Sequence, residues 1–438
     1  MKAAPPRETE PQRSVPHSLP QFPLQSIRQS PPPSDRRGFR ALLAAQFCSS
    51  LADNALLIVA IALLTARHAA DWQTPALRLF FYFSYVLLSP FAGAVADAWP
   101  KSRILFVTNL VKLAGCLLLL LHLHPLIAYA LIGAGAAAYS PAKYGILGEL
   151  LPQTELVKAN AWIEVSTVLS IILGVALGSV LIDPPGYSGV LSGSTFGEAV
   201  DPMTQAMLQV AVLYLLAALF AARVPRTGAS NAAALSRPSR LIGDFAAAAR
   251  TLFSDRQARL SLGVTSLFWA VSAVLQFLIL RWAQQQLHLP LSQAALLQVA
   301  VAIGMVGGAV AAGRWIPLER TLGVLPLGLV IGILVMLMAL VTQVWLAAVL
   351  LAVIGCLSGL FLVPMNALLQ QRGARLLHPG QSIAVQNAAE NLACLALLAV
   401  YGGLLGGAVP LLPIVSGFGA LVTFLMFGLL MRRSKYKR

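Results

Sequence analysis

From about residue 40 onward, apolar stretches of some twenty residues alternate with short polar or basic turns. About 20 residues is the length a helix needs to cross ~30 Å of hydrocarbon. The pattern predicts twelve membrane-spanning helices, beginning near Arg40, Leu77, Ile104, Leu126, Leu156, Thr204, Leu260, Gln293, Val324, Trp345, Gln381 and Pro410. The longest interruption, from Arg223 to about Arg259, is basic and rich in Ala and Ser, and it divides the helices into six and six. The expected class is therefore an all-α polytopic membrane protein built from two pseudo-symmetric six-helix bundles. The expected organisation is a Pro-rich tail over 1–38, a first bundle over 39–224, a linker over 225–259, a second bundle over 260–431 and a basic tail over 432–438. A short repeat supports the halving. Span two ends in GAVADAWPKSR and span eight in GAVAAGRWIPLER, starting at Gly308, although Ala312 stands in the second copy where Asp97 stands in the first.

Composition agrees with that reading and narrows it. With 58% hydrophobic residues, 11% charged and a mean hydropathy of +0.77, the chain cannot present a charged surface to water on all sides. The net charge of +15 would suit nucleic acid, but its distribution excludes that partner. Lys and Arg collect in the amino-terminal tail, the central loop and the last residues, whereas the turns after spans three, five, nine and eleven hold none. By the positive-inside rule both termini and the central loop are cytoplasmic, which requires an even number of spans. The first 38 residues contain nine prolines and no apolar core. They read as a disordered cytoplasmic tail, not a secretory signal. Cys48, Cys116, Cys356 and Cys394 fall within spans with no metal-ligand spacing, and are expected to pack as small apolar residues.

Candidate chemistry lies where charged or polar side chains interrupt the apolar runs, because a charge within a span is costly unless it faces a polar cavity or a partner. One group is Gly93, Asp97, Lys101 and Arg103, at the turn between spans two and three. Gly93 permits close helix approach, and Asp97 can pair with a base or face the positive end of a neighbouring helix. A second is Asp53 with Asn54 in span one, where the carboxylate is expected to bind a cation, a proton or a ligand amine, or to make a structural hydrogen bond. A third comprises polar residues able to line one cavity: Lys112, Lys143, Tyr144, Glu149 and Glu164 in the first half, and Asn366, Gln370, Gln371, Gln386, Asn387, Glu390 and Asn391 in the second. Gln386 and Glu390, and Asn387 and Asn391, are four apart and share helix faces. Lys112 is expected to snorkel or to pair with Glu164. No phosphate-cradling loop, metal motif or activated nucleophile stands out, so no cofactor and no enzymatic chemistry are expected. Two halves with a midplane site imply alternating access by rocking.

The strings ADNALL, GAAAYSPAKYGILGEL, LVKAN, TSLFW, NALLQ and IAVQN followed by EN make the chain resemble the bacterial lysophospholipid transporter family of the major facilitator superfamily, from about Phe39 to Arg433. The Gly93–Asp97–Lys101–Arg103 turn resembles the superfamily's gating loop, whose partner is span eleven. The resemblance implies a flippase that carries lysophospholipids such as lysophosphatidylethanolamine from the outer to the inner leaflet of the bacterial inner membrane. There a separate acyltransferase and acyl-carrier-protein synthetase would re-acylate them. It also implies arginine at the position of Gln276 and glutamate at that of Gln371, so their joint replacement suggests a compensated loss of an ion pair, with Arg281 as a candidate substitute cation. Phosphate recognition falls to Lys143 and Lys112, and amine recognition to Asp53, Glu164 or Glu390. The residues leave two other readings open: an ion-coupled exporter of drugs or small metabolites, and a scaffold that recruits an acyltransferase.

Overall fold

The structure, a computed structural model, describes residues 35–70, 73–182, 202–227, 238–407 and 409–434. Residues 1–34 of the tail expected over 1–38, the turn after span five and the last four residues lie outside the described residues. Thirteen α-helices carry the described chain: α1 (Arg36–Ala66), α2 (Gln73–Ala98), α3 (Lys101–Leu120), α4 (Pro125–Leu150), α5 (Leu156–Ile182), α6 (Pro202–Ala222), α7 (Leu241–Ser254), α8 (Arg256–Gln286), α9 (Leu291–Trp315), α10 (Leu325–Met338), α11 (Val344–Leu376), α12 (Pro379–Gly406) and α13 (Leu411–Ser434). All but α7 belong to the 12 segments long and apolar enough to cross a membrane; the ninth includes the 3-10 turn Leu318–Val324 ahead of α10. Local chemistry sets several of the starts. Asp35 caps α1 by accepting from Arg37 N and Gly38 N, Asp255 caps α8 by accepting from Ala258 N at 2.8 Å, and α4 opens with Pro125 where no backbone donor is needed.

Each span starts within about five residues of its expected position, and α1 begins at Arg36, inside the stretch read as tail. The linker differs more. Within 225–259 lies α7, whose Leu241, Phe245, Ala248 and Leu252 recur at helical spacing on one apolar face. That face meets Leu262, Leu369, Leu376 and Val385, and α7 packs against α2 of the first half as well as α8, α11 and α12 of the second. Composition alone had hidden it, because alanines and arginines dominate the surrounding sequence.

With twelve spans, α1 begins and α13 ends on the same face of the bundle, here called the base; the other face is the far face. The apolar cores show how the halves meet. Away from the base each half keeps its own core, one built on Leu56, Ile132 and Tyr214 and the other on Leu278, Trp282 and Phe418. At the base a single cluster joins Ile146, Leu147 and Val157 to Ala309, Ala312 and Val363 of the second half. The halves thus share an apolar core at the base and keep separate apolar cores towards the far face.

One crossing is unusually close. Gly304 and Gly308 of α9 meet Gly355 and Gly359 of α11, and a Cβ at any of the four would collide with backbone of the opposite helix. Small residues four apart on both partners allow backbones to approach this closely.

Candidate functional site

A polar cavity lies between the halves, in two connected lobes of about 320 and 340 Å³. Asn54, Arg78, Tyr82, Tyr85, Ser140, Lys143 and Trp269 line both lobes. Lys112 and Asp53 border the first, while Tyr144, Glu164, Gln276, Asn366, Gln386, Asn387 and Glu390 border the second. Ten expected site residues therefore converge on one space: Asp53, Asn54, Lys112, Lys143, Tyr144, Glu164, Gln276, Asn366, Asn387 and Glu390.

Within the cavity the charges divide into those already matched and those not. Lys112, only 2% exposed, pairs with Asp53 at 2.7 Å and donates to Ser49 Oγ at 3.0 Å. Tyr214 donates to the other oxygen of Asp53 at 2.8 Å, so α1, α3 and α6 meet at one neutral knot. The expected Lys112–Glu164 pair does not form: Asp53, across α1, is the carboxylate that Lys112 reaches. Lys143 is different. It is 8% exposed, lies over the Tyr144 ring at 4.3 Å, and has no carboxylate within 4.0 Å among the described residues. Glu164, 4% exposed, has no direct hydrogen-bond or ion-pair partner among the described residues, and Lys143 is the cation within electrostatic reach of it. Glu390 accepts from Gln386 at 2.7 Å, and Gln386 also donates to Asn366 at 3.1 Å. The polar wall continues across the halves through Ser140, which donates to Asn387 at 3.2 Å.

Arg78 was not among the expected site residues, yet it borders both lobes and donates to Gln276 Oε1 across the halves at 3.3 Å. The signal was present as a single arginine inside the apolar run of span two, where its nearness to the span's start disguised it as a flanking charge. Its position corrects the reading of Gln276 and Gln371. Gln276 meets Arg78 in the cavity, whereas Gln371 bonds to Gln153 at the exposed base, so the two glutamines do not replace a pair in contact. Arg281 is exposed and outside the cavity, and Arg78 is the cation that stands beside Gln276.

At the base the turn between α2 and α3 forms a compact seal. The Asp97 carboxylate accepts from Gly380 N at 2.7 Å and Gln381 N at 2.9 Å, capping α12 from the other half. Gly93 makes this possible, since a Cβ there would lie 2.8 Å from the Ala384 Cβ. Lys101 is 2% exposed and turns within its own half to Glu149 at 2.5 Å, so Glu149, expected to line the cavity, serves the base seal instead. Arg103 is exposed and stacks over Trp99 at 5.3 Å. A buried amide pair closes the opposite side, with Asn160 and Gln370 exchanging hydrogen bonds of 2.9 and 2.8 Å.

The sequence profile of the Major Facilitator Superfamily matches residues 42–398. Lysophospholipid transporters LplT of Yersinia pestis (strain Pestoides F) and Yersinia pseudotuberculosis serotype IB are each 40% identical to this chain over 366 residues, covering 83% of it and 86% of the relative. The chain belongs to the lysophospholipid transporter family of the Major Facilitator Superfamily. Solved structures agree on the fold of this transporter. The transporter FucP in its outward conformation superposes with a TM-score of 0.70 at 15% identity, covering 90% of this chain and 98% of that one. The human organic anion transporter MFSD10 gives 0.70 at 16%, covering 90% and 100%. The transporter is thus a multi-pass membrane protein with a cavity closed at its base, and Lys143 and Glu164 are buried cavity charges with neither a counter-ion in contact nor a direct hydrogen bond among the described residues.

Proposed function

We propose that this protein moves lysophospholipids such as lysophosphatidylethanolamine from the outer to the inner leaflet of the bacterial inner membrane, by alternating access and without catalysing a reaction. The observation that carries this reading is Lys143, a buried cation that faces the cavity with no carboxylate in contact. A phosphate leaving water needs such a charge-assisted donor. An ethanolamine amine needs a carboxylate, and Glu164 and Glu390 border the same lobe, while Asp53 is already held by Lys112 and Tyr214. Phe81, Ile171 and Trp269 supply apolar wall for the start of the acyl chain. The distribution of Lys and Arg supports assigning the base to the cytoplasm, where a separate acyltransferase and acyl-carrier-protein synthetase would consume the product. The names of the Yersinia relatives support the substrate class.

Leaflet transfer of fluorescent lysophosphatidylethanolamine into vesicles carrying the purified protein tests the proposal. The wild type is expected to transfer it, and a folded Lys143→Ala variant to fall at least about tenfold, the value of a lost charge-assisted hydrogen bond. Wild-type transfer equal to that of empty vesicles, with or without an ion gradient, would overturn it and leave the exporter reading.

A further inference from the structure

Two cations with no carboxylate in contact, Arg78 and Lys143, stand at different depths in the cavity. α2 and α4 both run from the far face to the base and pack along one another. At 1.5 Å per residue Arg78 lies ~7.5 Å below the start of α2, whereas Lys143 lies ~27 Å below the start of α4. Both residues line both lobes, so one continuous space carries a cation towards its far-face end and another towards its base.

Arg78 reaches into that space and stays accessible from it. Its side chain is part-exposed, and its guanidinium donates to Gln276 Oε1 across the halves at 3.3 Å. Gln298 of α9 donates to the Gln276 backbone carbonyl at 3.0 Å and fixes that turn of α8. An arginine that snorkelled to the lipid headgroups would turn the other way, towards the helix end. Gln276 is uncharged, and no carboxylate lies within 4.0 Å of Arg78 among the described residues, so the guanidinium keeps its charge and its other N–H groups for a ligand. In the first lobe nothing competes for that charge. Among the described residues its one lining carboxylate is Asp53, which Lys112 neutralises, while Glu164 and Glu390 border the second lobe alone.

We propose that Arg78 is the first phosphate-binding residue on the path from the far face, taking the headgroup phosphate at the upper end of the cavity before it passes to Lys143 nearer the base. Gln276 is the positioning residue that holds the guanidinium across the seam from the other half. A guanidinium presents paired donors to a phosphate, and an ammonium a point charge, so a hand-over from Arg78 to Lys143 trades a shaped contact for a more mobile one. The assignment rests on the lysophospholipid reading of the cavity and adds to it an order in which the cations are met.

The test combines transfer with binding, using the full chain. Transfer of fluorescent lysophosphatidylethanolamine presented at the far face would be followed against its concentration. Equilibrium binding to the purified protein would be measured with the radiolabelled lipid and with monoacylglycerol of the same chain, which has no phosphate. Arg78→Gln is expected to raise KM about tenfold with kcat little changed, to weaken lysophosphatidylethanolamine binding by the same factor and to leave monoacylglycerol binding as it was. Lys143→Ala should retain phosphate-dependent binding and lose it when Arg78→Gln is added. Gln276→Glu, which keeps the arginine but gives it a carboxylate, should raise KM as Arg78→Gln does. A wild-type KM in Arg78→Gln, or an equal loss of monoacylglycerol binding, would overturn the entry role and leave the lysophospholipid reading standing. A wild type that neither binds nor transfers the lipid would overturn both.

Discussion

Lys112 and Lys143 are both buried lysines of the first half, yet their removal should have opposite consequences. Lys112 neutralises Asp53, so Lys112→Met leaves a carboxylate with Tyr214 as its remaining strong partner. Breaking one side of a buried pair costs about 3–5 kcal/mol, and a marked loss of thermal stability in detergent is expected. The double variant Asp53→Asn with Lys112→Met should regain most of it; no recovery would show that the pair is not what holds α1 to α3. Lys143 has no such contact to lose. Lys143→Met is expected to melt at or above the wild-type temperature while transport falls, and a variant that melts lower would place Lys143 among the structural residues. The sequence marked both lysines as unusual because a charge inside an apolar run is conspicuous on its own. It did not say which was matched, since pairing depends on which helices are neighbours, and Lys112 and Asp53, 59 positions apart, carry no sign of contact. Arg78 escaped for the converse reason: close to the start of span two, it looked like an ordinary flanking charge.

Among the elements, α12 depends on a carboxylate from the other half for two of its first backbone donors. Losing a helix cap costs about 1 kcal/mol, so Asp97→Ala should raise the population open at the base roughly fivefold. With Cys48, Cys116, Cys356 and Cys394 replaced, a reporter at Ser140→Cys measures this as faster alkylation by a membrane-impermeant reagent applied from the base. An unchanged rate would show that the amide pair of Asn160 and Gln370 closes the base unaided. The short helix α7 adds a second constraint, because its apolar face rests on both halves. Leu252 is 0% exposed, and Leu252→Asp places an unpaired carboxylate against Leu262 and Leu369. A loss of about 3 kcal/mol is expected, read as a lower melting temperature, whereas an unshifted transition would mean that α7 is not docked in the membrane-embedded protein. The twelve spans were legible because twenty consecutive apolar residues admit few other readings. α7 was not, since fourteen residues with a single apolar stripe are lost when a linker is judged by its average composition.

Across the whole molecule, the two halves share a core at the base and keep separate cores above it, while the cavity lies between them. The halving of the chain at its longest basic interruption was readable, and so was the meeting of the Asp97 turn with span eleven; the amide pair that completes the seal was not, because Asn160 and Gln370 are 210 residues apart. The α9–α11 crossing also acts at this scale. Gly308→Leu is expected to reduce the yield of monodisperse protein sharply, and Gly428→Leu to leave it unchanged, because only the former drives a side chain into the Cys356 carbonyl. Normal yield from Gly308→Leu would mean that the two helices can part.

Four glycines pressed into opposing backbones also leave no room to shear, because sliding either helix along the other would bring a larger side chain against a carbonyl. At this crossing the two helices are therefore tied as one packed unit. At one point along its length Asn366 touches the cavity, and at another Gly313 bears on Ala161 of the opposite half. One packed unit thus joins the cavity wall at Asn366 to the seam at Ala161.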